Sequence, residues 1–307
     1  MSGIEIVEVA PRDGLQNEKQ LFTTAQKIAL IEGMVDAGAR RIEVASFVRG
    51  DRVPQMANAE EVIEGLSLPD GVTTIGLVLN LKGLDRALAT RIDEIGAVCV
   101  ASDEFAQRNQ RQQSMESVDV AADVVRGAKA AARSAQVTIG AAFGCPFEGE
   151  VDPEHVVRMA RILAEAAPRE IALADTIGVA VPQQVYDLVT AVAAVTDGIP
   201  IRVHLHNTRN TGIANAWAAV QAGAATLDSA VGGIGGCPFA PAATGNIATE
   251  DLLYMLGRSH VPVDFDLDRT ISMAGWLKAQ MGRELPAMVS RAGTFPPADQ
   301  NTAKEQR

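Results

Sequence analysis

Two of the four histidines in this 307-residue chain, His204 and His206, stand two positions apart after the hydrophobic run IPIRV. Side chains two apart on a β-strand point to the same side, and in a closed barrel one of the two sides is the interior. Two imidazoles there, with the carboxylate of Asp13 and one more oxygen ligand, would make a mixed nitrogen and oxygen site for Mg²⁺, Mn²⁺, Fe²⁺ or Zn²⁺. The spacing alone leaves an alternative open, in which both histidines satisfy backbone or solvent partners at a strand edge.

Cys237 lies in the glycine-rich string GGIGGCPF, which follows a hydrophobic run. Glycines permit tight turns and close approach of the backbone to a ligand, so this loop could close over a site and bring a thiol to it. A buried structural role is the alternative for Cys237, as it is for Cys145 in the similar string GCPFEGE. Cys99 falls within a predicted strand and is assigned to the core.

Arg12 precedes Asp13, and the two could form a solvated ion pair that contributes little to stability. At the mouth of an apolar barrel, the same arginine would be a fixed donor for a developing oxyanion. Glu43 is a carboxylate on an otherwise apolar strand, where it is costly unless paired. We therefore expect Arg12 to be the partner of Glu43.

The segments that would position these side chains alternate regularly along the chain. Eight short apolar runs predict strands at residues 4–10, 41–46, 73–79, 94–101, 137–143, 170–175, 201–206 and 225–231. Helical spacing separates them, as in the segment that Gly38 can end and the segment that Asp152 can cap with Pro153 at the first position. Apolar strands alternating with helices indicate a buried parallel sheet, and eight such units predict an α/β fold, a (β/α)₈ TIM barrel. An open doubly wound sheet is the competing architecture.

The length fits one barrel with additions, although two domains remain possible. We predict a single catalytic domain over residues 1–290, including an additional C-terminal helix in the string LDRTISMAGWLKAQMG, and a polar, mobile tail over residues 291–307. In such barrels chemistry collects where strands end and the following loops begin. The predicted strands do run there into Arg12 and Asp13, Ser46, Asp175, the two histidines and the GGIGGC loop.

Composition limits the function classes. Apolar residues make up 47% and charged residues 21%, which is typical of a globular enzyme with a large core. A net charge of −11 disfavours broad binding to nucleic acid or anionic membranes but allows a local basic pocket. Three widely spaced cysteines and the absence of a signal-like N-terminus favour a reducing cytoplasm. Apolar stretches fall short of the roughly 20 residues that a membrane span needs.

Seven strings together carry a resemblance to a known family: APRDGLQNEK, RIEVASFV, VPQM, GCPFEGE, ADTIGV, VHLHNTRNTGIAN and GGIGGCPFAPAATGNIATEDLLYML. In this order, from about residue 4 to about residue 258, the chain resembles 3-hydroxy-3-methylglutaryl-CoA lyase. The resemblance implies a divalent metal, Mg²⁺ or Mn²⁺, bound by Asp13, His204, His206 and the side-chain oxygen of Asn246. It also implies cleavage of 3-hydroxy-3-methylglutaryl-CoA to acetyl-CoA and acetoacetate, an acyl-CoA substrate, and a homodimer.

Further residue roles follow from the resemblance. Arg12 would polarise the thioester carbonyl, and Cys237 would protonate the acetyl-CoA carbanion. Glu43 and Asp175 match acidic positions that hold Arg12, water or substrate, while Gln16 and Ser46 would contact the acyl or pantetheine portion. The base that takes the hydroxyl proton is left open between Asp13 and His204. Four cations are candidates for a CoA-binding patch, or for simple surface solvation: Lys19, Arg49, Arg52 and Arg108.

One segment departs from the family pattern. Many members have Asp-Thr-Tyr-Gly after the second histidine, whereas this chain has Asn207, Thr208, Arg209 and Asn210. The changed loop leaves open a lyase for citramalyl-CoA or for a longer 3-hydroxy-3-alkylglutaryl-CoA. A Claisen-type synthase or an aldolase on the same barrel, and a noncatalytic CoA-binding protein that uses GGIGGC as an anion nest, are more distant alternatives.

Overall fold

Eight parallel strands close into a barrel in chain order in the computed structural model, which describes residues 3–236 and 245–296. The strands are β1 (Glu5–Glu8), β2 (Arg41–Ser46), β3 (Thr73–Val78), β4 (Glu94–Val100), β5 (Ser134–Gly140), β6 (Ile171–Asp175), β7 (Ile201–Leu205) and β8 (Thr226–Ser229). Each strand pairs in parallel with the next, and β8 closes the ring by pairing with β1. The (β/α)₈ barrel is therefore confirmed, and the open sheet is excluded.

Helices surround the barrel and link its strands. Within the described residues they are α1 (Thr24–Asp36), α2 (Ala59–Gly65), α3 (Leu81–Leu88), α4 (Asp103–Gln110), α5 (Ser114–Ala130), α6 (Pro153–Glu165), α7 (Pro182–Ala193), α8 (Gly212–Gln221), α9 (Thr249–Arg258), α10 (Leu267–Met281) and α11 (Val289–Ala292). The predicted additional C-terminal helix is α10, which contacts α1 and α9. None of these helices has both the length and the apolar character that crossing a bilayer would require.

The predicted domain limits meet the structure only in part. Residues 291 and 292 belong to α11, so regular structure continues past the predicted boundary at residue 290. Residues 297–307, which make up most of the predicted mobile tail, lie outside the described residues. A single domain over 1–290 and mobility of the tail remain predictions.

Local sequence signals place several helix ends where they were expected. Thr23 caps α1 in a capping box with Gln26, and Asp152 accepts a hydrogen bond from the Glu154 amide at the start of α6. Gly38 follows α1 with φ +117°, and a Cβ at this position would lie 2.4 Å from the carbonyl oxygen of Asp264. Only glycine fits such a position.

The fifth strand is displaced from its predicted limits of 137–143. It begins at the exposed Ser134 and ends at Gly140, because Ala141 adopts a left-handed φ of 54° and starts the following loop. Ala141 and Cys145 are nevertheless buried, in a small second core with Val100 and Phe105. The apolar residues of this run are therefore buried as predicted, but the last of them belong to the loop after β5 and not to the strand.

Four strands are buried at every residue, namely β2, β6, β7 and β8. A sheet whose outer face is covered by helices requires such burial on both faces. Because all strands are parallel, their carboxyl ends meet at one end of the barrel. The loops after β1, β2, β6, β7 and β8 therefore bring the predicted site residues that the structure describes to one end of the barrel.

Candidate metal centre and active site

Asp13, His204 and His206 converge at the carboxyl end of the barrel. One ligand atom from each lies within 4.8 Å of the others. The Nε2 atoms of His204 and His206 lie 3.9 and 3.8 Å from Oδ2 of Asp13, and the two ring centres are 5.1 Å apart. These separations leave space between the three groups for one cation, so the predicted convergence of this triad is confirmed.

Asn246 reaches the triad through a short backbone bridge. Residues 205–207 and 245–247 run antiparallel there: the Asn207 amide donates to the Gly245 carbonyl, and the Ile247 amide donates to the Leu205 carbonyl. This bridge places Asn246 opposite His206. The Asn246 amide nitrogen donates to Oδ2 of Asp13 at 2.8 Å and to the Ile234 carbonyl at 3.1 Å.

Several buried atoms at this centre have the chemistry of metal ligands. Oδ1 of Asn246 and both ring nitrogens of His206 are buried and have no hydrogen-bond partner among the described residues. Buried polar atoms are rarely left in this way unless an ion or water completes them. A carboxylate, two imidazoles and an amide oxygen form the mixed donor set that Mn²⁺, Mg²⁺ or Zn²⁺ accepts. Coordination by Asn246 itself remains a prediction, because its nitrogen is the atom that faces Asp13.

The charges at the centre stabilise one another. Burial opposes the ionisation of Asp13, but Arg12 and the two imidazoles outweigh it and hold the pKa of Asp13 well below its ordinary value. Burial also opposes a charge on His204, whose pKa is nevertheless raised by its hydrogen bond to Asp228 and by the charge of Asp13. The carboxylate of Asp13 is thus ionised, as a metal ligand must be.

Arg12 lies beside the triad and pairs with Glu43, as predicted from the cost of a lone carboxylate on an apolar strand. Its Nη2 is 2.6 Å from Oε2 of Glu43, and its Nη1 donates to Oδ1 of Asp13 at 2.8 Å. Burial opposes the charge on Arg12, but Glu43 and Asp13 outweigh it and raise its pKa. For Glu43, burial outweighs the attraction of Arg12, and the pKa is raised. Nε of Arg12 keeps no partner among the described residues.

Asp175 ends β6 and faces the loop that follows it. Its two carboxylate oxygens accept the backbone N–H groups of Val179 and Ala180 at 2.9 and 3.1 Å. Burial nevertheless raises its pKa. These contacts fix the loop after β6, and the predicted catalytic role of Asp175 remains a prediction.

The two predicted substrate contacts lie on the first two strand exits. Ser46 ends β2 and is buried, and its hydroxyl oxygen has no hydrogen-bond partner within the described residues. Gln16 is half-buried and follows the turn that carries Arg12 and Asp13. Their contact with an acyl or pantetheine group is untested.

The predicted proton donor, Cys237, lies outside the described residues. Of the other two cysteines, Cys99 is fully buried in the barrel core, and burial raises its pKa to about 12. Cys145 is also buried, and its sulfur accepts a hydrogen bond from the Ser102 hydroxyl at 2.8 Å. The core assignment of Cys99 is confirmed.

The four predicted CoA-patch cations are all exposed. Arg49 pairs with Asp51 at 2.6 Å, and both are well exposed. Arg108 pairs with Glu104, and its guanidinium lies 4.1 Å from the centre of the Phe147 ring. Lys19 and Arg52 complete the set. A role in CoA binding stays a prediction for each.

A π-helical turn over Ala10–Gly14, not predicted from the sequence, carries both Arg12 and Asp13. The Gly14 amide donates to the Val9 carbonyl across five residues, while the Arg12 amide shares the same acceptor. Such wide turns occur often at functional sites. Here the turn lets adjacent residues serve different partners, with Arg12 reaching Glu43 and Asp13 reaching the histidines. Only Pro11 and the string APRDG hinted at irregular backbone.

A second charged cluster, also unpredicted, fills the opposite end of the barrel. We call it the floor cluster, and it consists of Arg41, Glu94, Glu170, Arg202 and Asp228. Arg41 contacts Glu94 and lies 2.8 Å from Glu170, and Arg202 binds Asp228 through two nitrogens. These charged residues lie within or next to apolar strands. The cost of an unpaired charge in such a strand, which predicted a partner for Glu43, could also have predicted this cluster.

Two further buried carboxylates lie behind the exit loops. Glu8 accepts the Ala10 and Val231 amides at 2.9 and 3.0 Å and the Thr249 hydroxyl at 2.7 Å. Glu250 accepts the Gly232 amide at 3.0 Å. One carboxylate, that of Glu8, thereby joins the turn after β1, the loop after β8 and the start of α9.

The chain as a whole matches a known family. A family model described as HMGL-like matches residues 3–276, which is most of the chain. The chain belongs to the HMGL-like family. The resemblance read from the seven strings is thereby confirmed, and so is the prediction that this protein is an enzyme, a carbon–carbon lyase.

Individual relatives in this family cover nearly the whole chain. An (R)-citramalyl-CoA lyase from Chloroflexus aurantiacus is 42% identical over 307 residues, with 97% of each chain covered. The hydroxymethylglutaryl-CoA lyase YngG of Bacillus subtilis is 37% identical over 284 residues, covering 92% of this chain and 95% of the relative. A solved structure of an HMG-CoA lyase from Acinetobacter baumannii, in complex with coenzyme A and 3-methylmalate, superposes with a TM-score of 0.91 at 36% identity, covering 95% of this chain and 96% of that one.

Proposed function

We propose that this protein cleaves 3-hydroxy-3-methylglutaryl-CoA to acetyl-CoA and acetoacetate, with Mg²⁺ or Mn²⁺ as its cofactor. The observation that carries the proposal is the convergence of Asp13, His204 and His206 beside buried atoms that lack hydrogen-bond partners in the described part of the chain. Asn246 is the proposed fourth ligand. When bound, the cation supplies positive charge that favours ionisation of the substrate hydroxyl and fixes the orientation of the bond to be broken.

The reaction is a retro-Claisen cleavage. The hydroxyl loses its proton and becomes a ketone, and the bond between the carbinol carbon and the methylene next to the thioester breaks. The electron pair of that bond passes to the methylene, and one proton completes the methyl group of acetyl-CoA. Asp13 and His204 are the candidate acceptors of the hydroxyl proton, and the low pKa of Asp13 makes it the weaker base.

Arg12 supports the charge that develops on the thioester oxygen. Its guanidinium is permanently charged and is oriented by Glu43 and Asp13, and its Nε has no hydrogen-bond partner within residues 3–236 and 245–296. A fixed donor of this kind costs no reorganisation when the negative charge forms. Cys237 is the proposed donor of the final proton, because an unperturbed thiol has a pKa of about 8.5.

A second substrate, citramalyl-CoA, is favoured by two observations. The relative at 42% identity is a citramalyl-CoA lyase. The segment that departs from the family pattern, residues 207–210, lines a cavity of about 290 Å³ with the proposed ligand Asn246. Citramalyl-CoA lacks one methylene between the carbinol carbon and the free carboxylate, so the same bond cleavage would release pyruvate. One methylene is worth only about 10- to 200-fold in specificity, so a ranking of substrates decides between them.

The test is a thioester panel with purified protein that has been stripped by EDTA and reloaded with Mn²⁺. We expect acetyl-CoA from 3-hydroxy-3-methylglutaryl-CoA with acetoacetate as co-product, and no turnover in the matched Asp13→Asn variant. A higher kcat/KM for citramalyl-CoA, with pyruvate released, would transfer the assignment to the second substrate. Failure to cleave any 3-hydroxyacyl-CoA would refute the lyase proposal for this site. We also propose a homodimer, which light scattering after gel filtration tests.

A further inference from the structure

Only one of the two histidines at the metal centre has a partner behind it. Nδ1 of His204 lies 2.9 Å from Oδ2 of Asp228, while both nitrogens of His206 lack hydrogen-bond partners among the described residues. Asp228 lies in β8, next to β7 in the barrel. The contact therefore joins two neighbouring strands inside the barrel, from Asp228 on β8 to the proposed metal ligand His204 on β7.

Asp228 is in turn held by an arginine. Arg202 donates through Nε to Oδ1 and through Nη2 to Oδ2 of Asp228, the second at 2.9 Å. Such a two-pronged contact fixes both the position and the plane of a carboxylate. Both residues are buried, so water cannot replace either partner.

The contact fixes which nitrogen of His204 is free. A carboxylate paired with an arginine is ionised and can only accept hydrogen bonds, so the shared hydrogen belongs to Nδ1 of His204. Nε2, which faces Asp13, is then the unprotonated nitrogen with a lone pair toward the space between the ligands. Metal-bound histidines commonly have their second nitrogen bound in this way.

We propose that Asp228 is a positioning residue that sets the tautomer and the ring orientation of His204 for metal binding. Arg202 holds Asp228 through its two hydrogen bonds. Glu170 lies 3.4 Å from Arg202 and is paired more closely with Arg41, at 2.8 Å, so we assign Glu170 to the floor and not to the placement of Asp228. The inference rests on the proposed metal centre and holds for either acyl-CoA, because it concerns metal affinity and not turnover.

The experiment measures Mn²⁺ affinity of the full chain by EPR titration of the metal-free protein. We expect Asp228→Asn to weaken Mn²⁺ binding by about 10- to 100-fold, the usual cost of losing such a partner. Glu170→Gln is the matched control, because it removes a buried carboxylate from the same arginine without touching His204. It should leave the Mn²⁺ affinity close to that of the wild type.

Two results would overturn the proposal: unchanged affinity in Asp228→Asn, or an equal loss in Glu170→Gln. Should Asp228→Asn fail to fold, the wild type still decides the question. The chain has four histidines, so ¹⁵N-histidine labelling with a His204→Gln variant for assignment gives the tautomer at alkaline pH. Protonation at Nδ1 in the metal-free protein supports the proposal, and protonation at Nε2 contradicts it. A wild type that binds no Mn²⁺ would refute the metal centre while leaving the tautomer experiment intact.

Discussion

The two ends of the barrel interior both hold buried charged side chains, but these differ in how exposed they are and in how they are paired. In the floor cluster each carboxylate contacts an arginine, and the side chains of Arg41, Glu94 and Glu170 are 2% exposed or less. At the metal centre Arg12 and Asp13 are 11% and 18% exposed, and both ring nitrogens of His206 and Oδ1 of Asn246 have no hydrogen-bond partner among the described residues. Nε of Arg41 and Oε2 of Glu94 also lack partners there, but both side chains belong to an ion pair within the floor. The floor therefore pairs its charges with one another, whereas the neutral ligand atoms of the metal centre need a group from outside it.

This difference separates two uses of a buried charge. A network in which each carboxylate contacts an arginine contributes a defined interior, and removing one arginine leaves an uncompensated charge. Neutral ligand atoms that are buried without partners are costly to the fold and are retained where a ligand completes them. We therefore expect floor substitutions to change stability first and metal-centre substitutions to change turnover first.

The largest effect is expected in the floor. Arg41→Met would leave the carboxylates of Glu94 and Glu170 buried with one cation fewer, so the free energy of unfolding should fall by about 3–5 kcal/mol. Urea denaturation measures this loss. Arg40→Met is the matched control, since Arg40 is exposed and donates only to nearby carbonyls. Equal stability of the two variants would contradict the comparison.

The next effect is expected at the metal centre. Arg12→Gln removes the charge beside the developing oxyanion, so kcat should fall by about 10²–10³-fold while Mn²⁺ binding persists. Arg12→Lys keeps the charge but not the planar fork, and should recover only part of the rate. Steady-state assays with the preferred thioester measure both. A kcat close to that of the wild type in Arg12→Gln would show that Arg12 belongs with the floor as a structural charge.

A pH-dependent effect is expected behind the exit loops, at Glu8. Burial is the largest cause that raises the pKa of Glu8, from 4.5 to about 7. Between these pH values the folded protein holds a proton that the unfolded chain has released, so the contribution of Glu8 to stability is present at low pH and is lost as the pH rises to about 7. The loss is at most about 1.4 kcal/mol per pH unit.

Glu8→Gln should remove this contribution, because glutamine resembles the protonated acid. The difference in unfolding free energy, wild type minus Glu8→Gln, should therefore decrease from pH 5 to about pH 7 and then level off. Glu64→Gln, on an exposed carboxylate, serves as the control. A difference that is constant over this range would show that Glu8 is ionised throughout.

The smallest effect is expected outside the barrel, at Arg108. Its pair with Glu104 and its stacking on Phe147 are half-exposed, so Arg108→Gln should change the unfolding free energy by less than about 1 kcal/mol. The KM for the acyl-CoA is the second measurement. An increase in KM would assign Arg108 to the CoA patch, and an unchanged KM would leave it a solvated surface residue.

The predictable features are those that burial imposes on the residue types. Continuous apolar runs gave all eight strands, and the polar residues at their ends gave the triad. The pairing of Arg12 with Glu43 followed from the cost of a lone carboxylate on the β2 strand. Asn246 is different, because only the family resemblance pointed to it. Its place opposite His206 depends on a backbone bridge between segments some 40 residues apart.

The unpredicted features depend on geometry that no local pattern encodes. The π-helical turn depends on hydrogen bonds from Gly14 and Leu15 to the carbonyls of Val9 and Ala10, and its sequence fits an ordinary loop equally well. Asp228 was visible only as the one charged residue of the short strand β8, and its contact with His204 requires the register of β7 against β8. The two carboxylate oxygens of Asp175 likewise meet amides of the next loop.

The wide turn after β1 also sets a size limit at its last residue. A Cβ on Gly14 would come within 2.7 Å of Cγ1 of Ile234, which lies in the loop after β8. The carbonyl of Ile234 accepts the side-chain amide of Asn246. A single methyl group at position 14 would therefore push apart the first and last loops of the ring and displace a proposed ligand to which it is not bonded.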